Sequence, residues 1–236
     1  MAETLTALIF AHILADFLFQ TDWMSANKSK PGVLLLHTAV VLATAQAATG
    51  HWDAPALLVL AAVHLVIDAI KVWGRFTSLV AFLTDQIAHL ATVVAVAWAA
   101  PTLWATGAWG ALDWPLPLMA ILAGLIAATR AGGFAIGLLM KPHALRIRSQ
   151  GLKRGGWTIG LLERGLVFVL ILGGLPLGVG FLVAAKSVLR FGTATRDQRS
   201  AEYVIIGTLA SFGWAILAAM ATGAALALLP PLDLST

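Results

Sequence analysis

The chain reads as an all-α, polytopic transmembrane helix bundle, and three observations predict it. Of its 236 residues, 60% are hydrophobic and 11% charged, and the mean hydropathy is +0.90, well outside the soluble range. Several runs reach the roughly 20 apolar residues that a bilayer-spanning helix needs. Lys and Arg fall in alternate loops between those runs, as the orientation rule for membrane proteins requires. Together these features predict about eight spans, both termini on the non-cytoplasmic side, and no soluble domain of useful size.

The spans fall in order at about 4–20, 32–49, 55–73, 79–100, 115–140, 157–173, 175–191 and 202–229. Pro31, Pro55, Pro101, Pro115, Pro176 and Pro230 lie near their ends, where proline is tolerated. The first and seventh spans are short. Lys28 and Lys30 follow span one, and Lys71 and Arg75 follow span three. Lys141, Arg146, Arg148, Lys153 and Arg154 follow span five, and Arg196 and Arg199 follow span seven. The intervening loops 50–54 and 101–114 and the turn at 173–175 contain no Lys or Arg. The basic loops are therefore expected in the cytoplasm. No cleaved signal peptide is expected, because His12 and Asp16 interrupt the first apolar run and no basic segment precedes it. Two four-span domains are expected, 1–100 and 101–236, without a convincing internal repeat.

Seven ionisable residues stand inside the first four spans: His12, Asp16, His37, His64, Asp68, Asp85 and His89. Six form His/Asp pairs four residues apart, in HILAD, HLVID and DQIAH, which puts both members on one helical face. At about 1.5 Å rise per residue, all seven lie within roughly 5–15 Å of the cytoplasmic boundary. Charges inside a bilayer are costly and are normally paired, liganded or functional. A lone intramembrane histidine is usually an interhelical hydrogen bond, but three such pairs plus His37 at one depth favour a metal site. The chain has no cysteine, so the ligands would be imidazole and carboxylate. That donor set suits a divalent ion, zinc first, with manganese or iron as alternatives.

Asp16, Asp68 and Asp85 are the carboxylates expected to serve as ligand or general base. Gln20, one further helical step beyond Asp16, and Lys71, three residues after Asp68, are expected to support the ligands. In the second half, Arg164, Lys186 and Arg190 form a cationic set fitted to the phosphate or carboxylate of a substrate. Glu163 and Glu202 stand nearby, and Lys186–Glu163 or Arg164–Glu202 ion pairs between helices are the plainer reading. Arg130, followed by Gly132 and Gly133, joins this set or marks a break in span five. His51 and His143 read as loop residues. Trp23, Trp52, Trp73, Trp104, Trp109, Trp114 and Trp157 read as an interfacial belt. No basic face is interleaved with aromatics, which argues against nucleic-acid binding. The chain also lacks HEXXH, phosphate-loop and nucleophile-elbow motifs.

The segments AHILADFLFQTDWMSANKSK (11–30), LLLH (34–37), HLVIDAIK (64–71) and FLTDQIAHL (82–90) resemble a multi-pass family of bacterial inner-membrane proteins, domain of unknown function 3307. IGLLERGLVFVLI (159–171), AAKSVLRF (184–191) and EYVIIGTLASF (202–212) resemble the carboxy-terminal part of its longer members. The resemblance implies the bacterial inner membrane and little chemistry. The expectation drawn from the residues is a metal-dependent hydrolase acting at the cytoplasmic side on a lipid-borne or amphipathic substrate, a phosphoester being one such class. A metal-ion or proton transporter built on the same cluster, and a structural subunit of a membrane complex, remain the alternatives. The partners expected are the bilayer and that substrate, with self-association left open.

Overall fold

The computed structural model describes the backbone of residues 1–144, 154–194 and 198–231, and the side chains of these except at 144, 189–194, 199 and 200. All regular structure among them is helical. The elements are α1 (Ala2–Leu14), a π-helical turn (Ala15–Phe19), α2 (Asp22–Asn27), α3 (Pro31–Thr49), α4 (Pro55–Trp73), α5 (Leu79–Ala99), α6 (Pro115–Ile126), a second π-helical turn (Ala127–Ala131), α7 (Gly132–Ala144), α8 (Gly155–Leu172), α9 (Pro176–Ala194) and α10 (Gln198–Leu226).

Among the described residues, seven helical stretches are long and apolar enough to cross a membrane, so this is a multi-pass membrane protein. The eighth expected span, 175–191, forms α9, a helix of 19 residues whose side chains are described as far as Val188. Of the basic residues used for orientation, Arg146, Arg148, Lys153 and Arg196 lie outside the described residues.

Local chemistry sets the helix boundaries. Pro31 and Pro55 open α3 and α4, and Pro115 and Pro176 open α6 and α9. In each case the missing N–H would have had no intrahelical partner. Thr21 caps α2 by accepting a hydrogen bond from Met24 N at 3.2 Å, and Ser78 caps α5 from Ala81 N at 3.1 Å. Gly50 ends α3 in the left-handed conformation, with φ 71°.

The backbone divides into two compact units. One is Met1–Ile126 with the described part of Ala224–Thr236, and the other is Ala127–Gly223. In the first unit, α1 packs against α3, α5 and α6, while α4 bridges α3 and α5. The Ala2–Phe19 span is 56% buried, against 28–39% for α3 to α5, so α1 is the central helix. The core of Leu8, Ala45, Leu57, Leu60, Val93 and Ala97 fills the half of this unit nearest Gly50. At that end Ala108 N donates to Gly50 O at 3.1 Å, Trp109 Nε1 donates to Ala47 O at 2.8 Å, and His51 Nε2 meets Thr106 Oγ1 at 3.0 Å. Loops 50–54 and 101–114, both free of Lys and Arg, therefore share one end. At the other end Trp73 Nε1 reaches Ser29 O at 3.5 Å, which joins the two basic turns. Trp23, Trp52, Trp73, Trp109, Trp114 and Trp157, expected at the interfaces, are all exposed. Trp104 is the exception: it is buried with Ala7 and Leu116, and its backbone N–H is held by Thr4 Oγ1.

Candidate metal centre

All seven intramembrane His and Asp residues converge at the basic end of the first unit, and none is more than 9% exposed. Each helix supplies its part through register. The α1 face carries His12 and passes into the π-helical turn that holds Asp16. His37 lies about two turns into α3, His64 and Asp68 lie on one face of α4, and Asp85 and His89 on one face of α5. π-Helical turns are rare and are frequent at functional sites. Here the turn ends the helix at Gln20, whose backbone is extended.

The polar atoms face inward. His37 Nε2 is 3.2 Å from His64 Nε2, 3.3 Å from Asp16 Oδ1 and 3.5 Å from Asp68 Oδ2. His64 Nε2 lies 3.6 Å from Asp16 Oδ1 and 3.3 Å from Asp68 Oδ2. His89 Nε2 stands 3.8 Å from Asp68 Oδ1 and 3.5 Å from Asp85 Oδ1. The His64 and His89 rings stack with centroids 4.0 Å apart, and His12 lies 5.3 Å from His89. Asp16 Oδ1, Asp85 Oδ1 and His89 Nε2 are buried without a hydrogen bond among the described residues. Buried polar atoms left this way are costly and call for a partner.

Two lysines close the basic end. Lys28 Nζ lies 2.7 Å from Asp68 Oδ2 and donates to Gln20 Oε1 at 2.7 Å, while Lys71 Nζ donates to Asp85 Oδ2 at 2.5 Å. The support expected from Gln20 and Lys71 is thus differently directed. Lys71 meets Asp85 across the α4–α5 interface rather than Asp68 on its own helix, and Gln20 holds Lys28 rather than Asp16. Three carboxylates thus face two ammonium groups in a buried site. Gln86 is the residue the spacing argument passed over. Its amide N lies 3.5 Å from Asp16 Oδ2 and 3.2 Å from Asp85 Oδ2, and its carbonyl is 3.3 Å from His12 Nε2. An uncharged polar residue beside Asp85 inside an apolar run was the available signal.

A small cavity of about 10 Å³, room for about one water, lies on the far side of His12, His64 and His89, against Thr92, Val41 and Leu60. Three triads, His12–Asp16–His64, His37–His64–Asp68 and Asp68–Asp85–His89, bring ligand atoms within 4.8 Å of one another. Ligands of a tetrahedral ion bound at about 2.0–2.1 Å stand about 3.3–3.4 Å apart. The His37, His64 and Asp68 Oδ2 edges of 3.2, 3.3 and 3.5 Å match that spacing. The donor set and its separations therefore fit a divalent ion.

The second unit carries the other expected set. Lys186 Nζ donates to Glu163 Oε2 at 2.7 Å and lies over the Phe212 ring at 5.5 Å. Arg164 is buried; its Nε and Nη2 donate to Thr129 O at 3.3 and 3.0 Å, and Nη1 donates to Ser211 Oγ at 3.2 Å. Gly132, Gly133 and Gly160 leave room for that guanidinium. Glu202 is exposed and accepts from Gln198 Nε2 at 3.0 Å. Of the two ion pairs considered from sequence, the structure contains Lys186–Glu163, while Arg164 is held by a carbonyl and a hydroxyl. Arg130 sits 5.7 Å from the Trp157 ring in the second π-helical turn. The Arg190 side chain lies outside the described residues.

The fold and site define a class: a multi-pass helical membrane protein with a buried, cysteine-free His/Asp centre. Residues 4–109, which include all seven of those residues, match the family described as "Protein of unknown function (DUF3307)". The motifs at 159–171, 184–191 and 202–212 lie beyond the match. No curated protein and no solved structure matches the chain.

Proposed function

We propose that the His/Asp cluster is an intramembrane divalent-metal centre, zinc being the first candidate, and that it serves a hydrolase. The observation that carries this is the inward convergence of imidazole nitrogens and carboxylate oxygens at ligand-to-ligand distances, several of them without hydrogen bonds. A divalent ion there would lower the pKa of water and supply a nucleophile near neutral pH. Asp16 is the carboxylate best placed as general base, because Asp68 and Asp85 are each paired with a lysine and Asp16 is not. The water-sized cavity beside His12, His64 and His89 suits a small reactant on that side.

In this reading the substrate is lipid-borne or amphipathic and approaches from the end where Lys28 and Lys71 stand, whose ammonium groups suit an anionic head group such as a phosphoester. The protein would sit in the bacterial inner membrane with that end at the cytoplasm. Arg164 and Lys186 belong to the other unit and are given no part. Hydrolysis is favoured over transport because the apolar core of Leu8, Ala45, Leu57, Val93 and Ala97 separates the centre from the opposite end, with no continuous polar path among the described residues.

Elemental analysis of detergent-purified wild type, His64→Ala and Asp85→Ala tests the centre, and turnover of lipid phosphoesters by the same samples tests the chemistry. We expect stoichiometric metal in the wild type and at least a tenfold loss of both metal and turnover in the variants. A wild type that takes up no zinc, manganese or iron on reconstitution would sink the reading. Metal-dependent uptake into proteoliposomes without turnover would replace hydrolysis by transport.

A further inference from the structure

Resting on the metal-centre reading, we infer that the centre holds two divalent ions bridged by the Asp68 carboxylate. Asp68 faces two ligand sets with two different oxygens. Its Oδ2 lies 3.5 Å from His37 Nε2 and 3.3 Å from His64 Nε2, and those nitrogens are 3.2 Å apart. Its Oδ1 faces His89 Nε2 at 3.8 Å, which in turn lies 3.5 Å from Asp85 Oδ1. Both triads are buried and share only Asp68. The two imidazole nitrogens of the first set each have a single lone pair and serve one ion. A carboxylate can give one oxygen to each of two ions, and only Asp68 stands where it can do so.

Each set supplies three protein ligands, which leaves positions open on both ions, as reactive metal sites require. Two-ion sites with such a bridge stabilise both the attacking and the leaving oxygen of a displacement. Charge fits as well. Two divalent ions and one hydroxide balance the carboxylates of Asp16, Asp68 and Asp85 once Lys28 and Lys71 have withdrawn. One lysine stands at each set, at Asp68 Oδ2 and at Asp85 Oδ2. Their side chains keep 11% and 29% of their exposure, so both have a route to water. Asp16 lies outside these two triads but forms a third with His12 and His64, and its Oδ1, 3.3 Å from His37 Nε2 and 3.6 Å from His64 Nε2, stands where it can carry a proton.

The test is equilibrium titration of the full-length, detergent-purified protein with Mn²⁺, followed by electron paramagnetic resonance. Two equivalents with an exchange-coupled spectrum are expected in the wild type. Asp85→Asn should fall to one equivalent with an uncoupled signal, and His37→Ala should do the same by removing the other ion. Saturation of the wild type at one equivalent, or two equivalents without coupling, would overturn the two-ion centre and leave the metal-centre reading standing. No binding at all would overturn both.

Discussion

At the scale of single residues, the cluster is held by groups that touch the ligands rather than by the ligands alone. Gln86 links His12, Asp16 and Asp85, so it orients one imidazole and two carboxylates from two helices. Removing such a partner typically weakens metal binding about 10–100-fold. Gln86→Leu should show that loss in a chelator-competition assay while the far-UV spectrum stays helical; unchanged affinity would make Gln86 a bystander. Lys71 acts on the metal-free protein. Its ammonium is the cationic partner of Asp85, so Lys71→Met should destabilise the metal-free form by about 2 kcal/mol, below the 3–5 kcal/mol of a fully buried pair because Lys71 retains solvent contact. Metal should restore most of that stability, since an ion replaces the ammonium, and thermal melts with and without metal would show it. Six of the seven ligand candidates were legible because His and Asp at i, i+4 are conspicuous against an apolar background, and His37 because it stands at the same depth. Lys28 was legible only as a basic residue following the first span, because its contact with Asp68 joins positions forty residues apart.

At the scale of elements, two local devices aim the site. The π-helical turn Ala15–Phe19 ends α1 just past Asp16 and turns the chain at Gln20, so Lys28 returns over the centre on α2 and the turn that follows it. Thr21 caps α2, and Thr21→Ala should cost about 1 kcal/mol of local stability. Faster amide exchange confined to Asp22–Asn27 would register this, and metal dissociation should quicken with it as Lys28 loosens. The second device is Gly50 at the opposite end. Its φ of 71° suits glycine, and a Cβ there would lie 2.6 Å from Ala108 N. Gly50→Ala should cost at least about 2 kcal/mol, read as a lower melting temperature in detergent, with metal affinity per folded molecule unchanged because the site is at the other end. Helix periodicity predicts neither device. A π-turn differs from an α-helix by one hydrogen-bond register, and a proline-free, apolar stretch such as ADFLF does not announce it. Proline and cap positions, by contrast, marked the starts of α3, α4, α6 and α9 directly.

At the scale of the whole molecule, the two ends of the first unit differ in charge. Lys28, Lys71 and Arg75 belong to one end, and loops 50–54 and 101–114, without Lys or Arg, meet at the other. The chain has no native cysteine, so single cysteines can be introduced without background. Ser29→Cys and Thr77→Cys should react with an impermeant maleimide only after cells are opened, whereas Asp53→Cys and Ala111→Cys should react in intact spheroplasts. Labelling of all four from one side would contradict the multi-pass reading, and the reverse pattern would invert the orientation. The 175–191 segment is apolar in its first part and carries Lys186 and Arg190 in its second, and it forms α9, a helix of 19 residues.

The sequence by itself determined the membrane class, the helical architecture and the common depth of the His and Asp residues. Those properties follow from transfer free energy and helical period, which are local and need no neighbour. Only the tertiary structure decided which side chains meet: Lys71 with Asp85, Lys28 with Asp68, Gln86 across three ligands, and Arg164 with a carbonyl and a hydroxyl instead of Glu202. Pairing depends on the rotation of each helix about its axis and on which helices adjoin. In an apolar bilayer, residues outside the polar cluster constrain that rotation weakly, because packing against lipid and packing against another helix differ little in hydrophobic free energy.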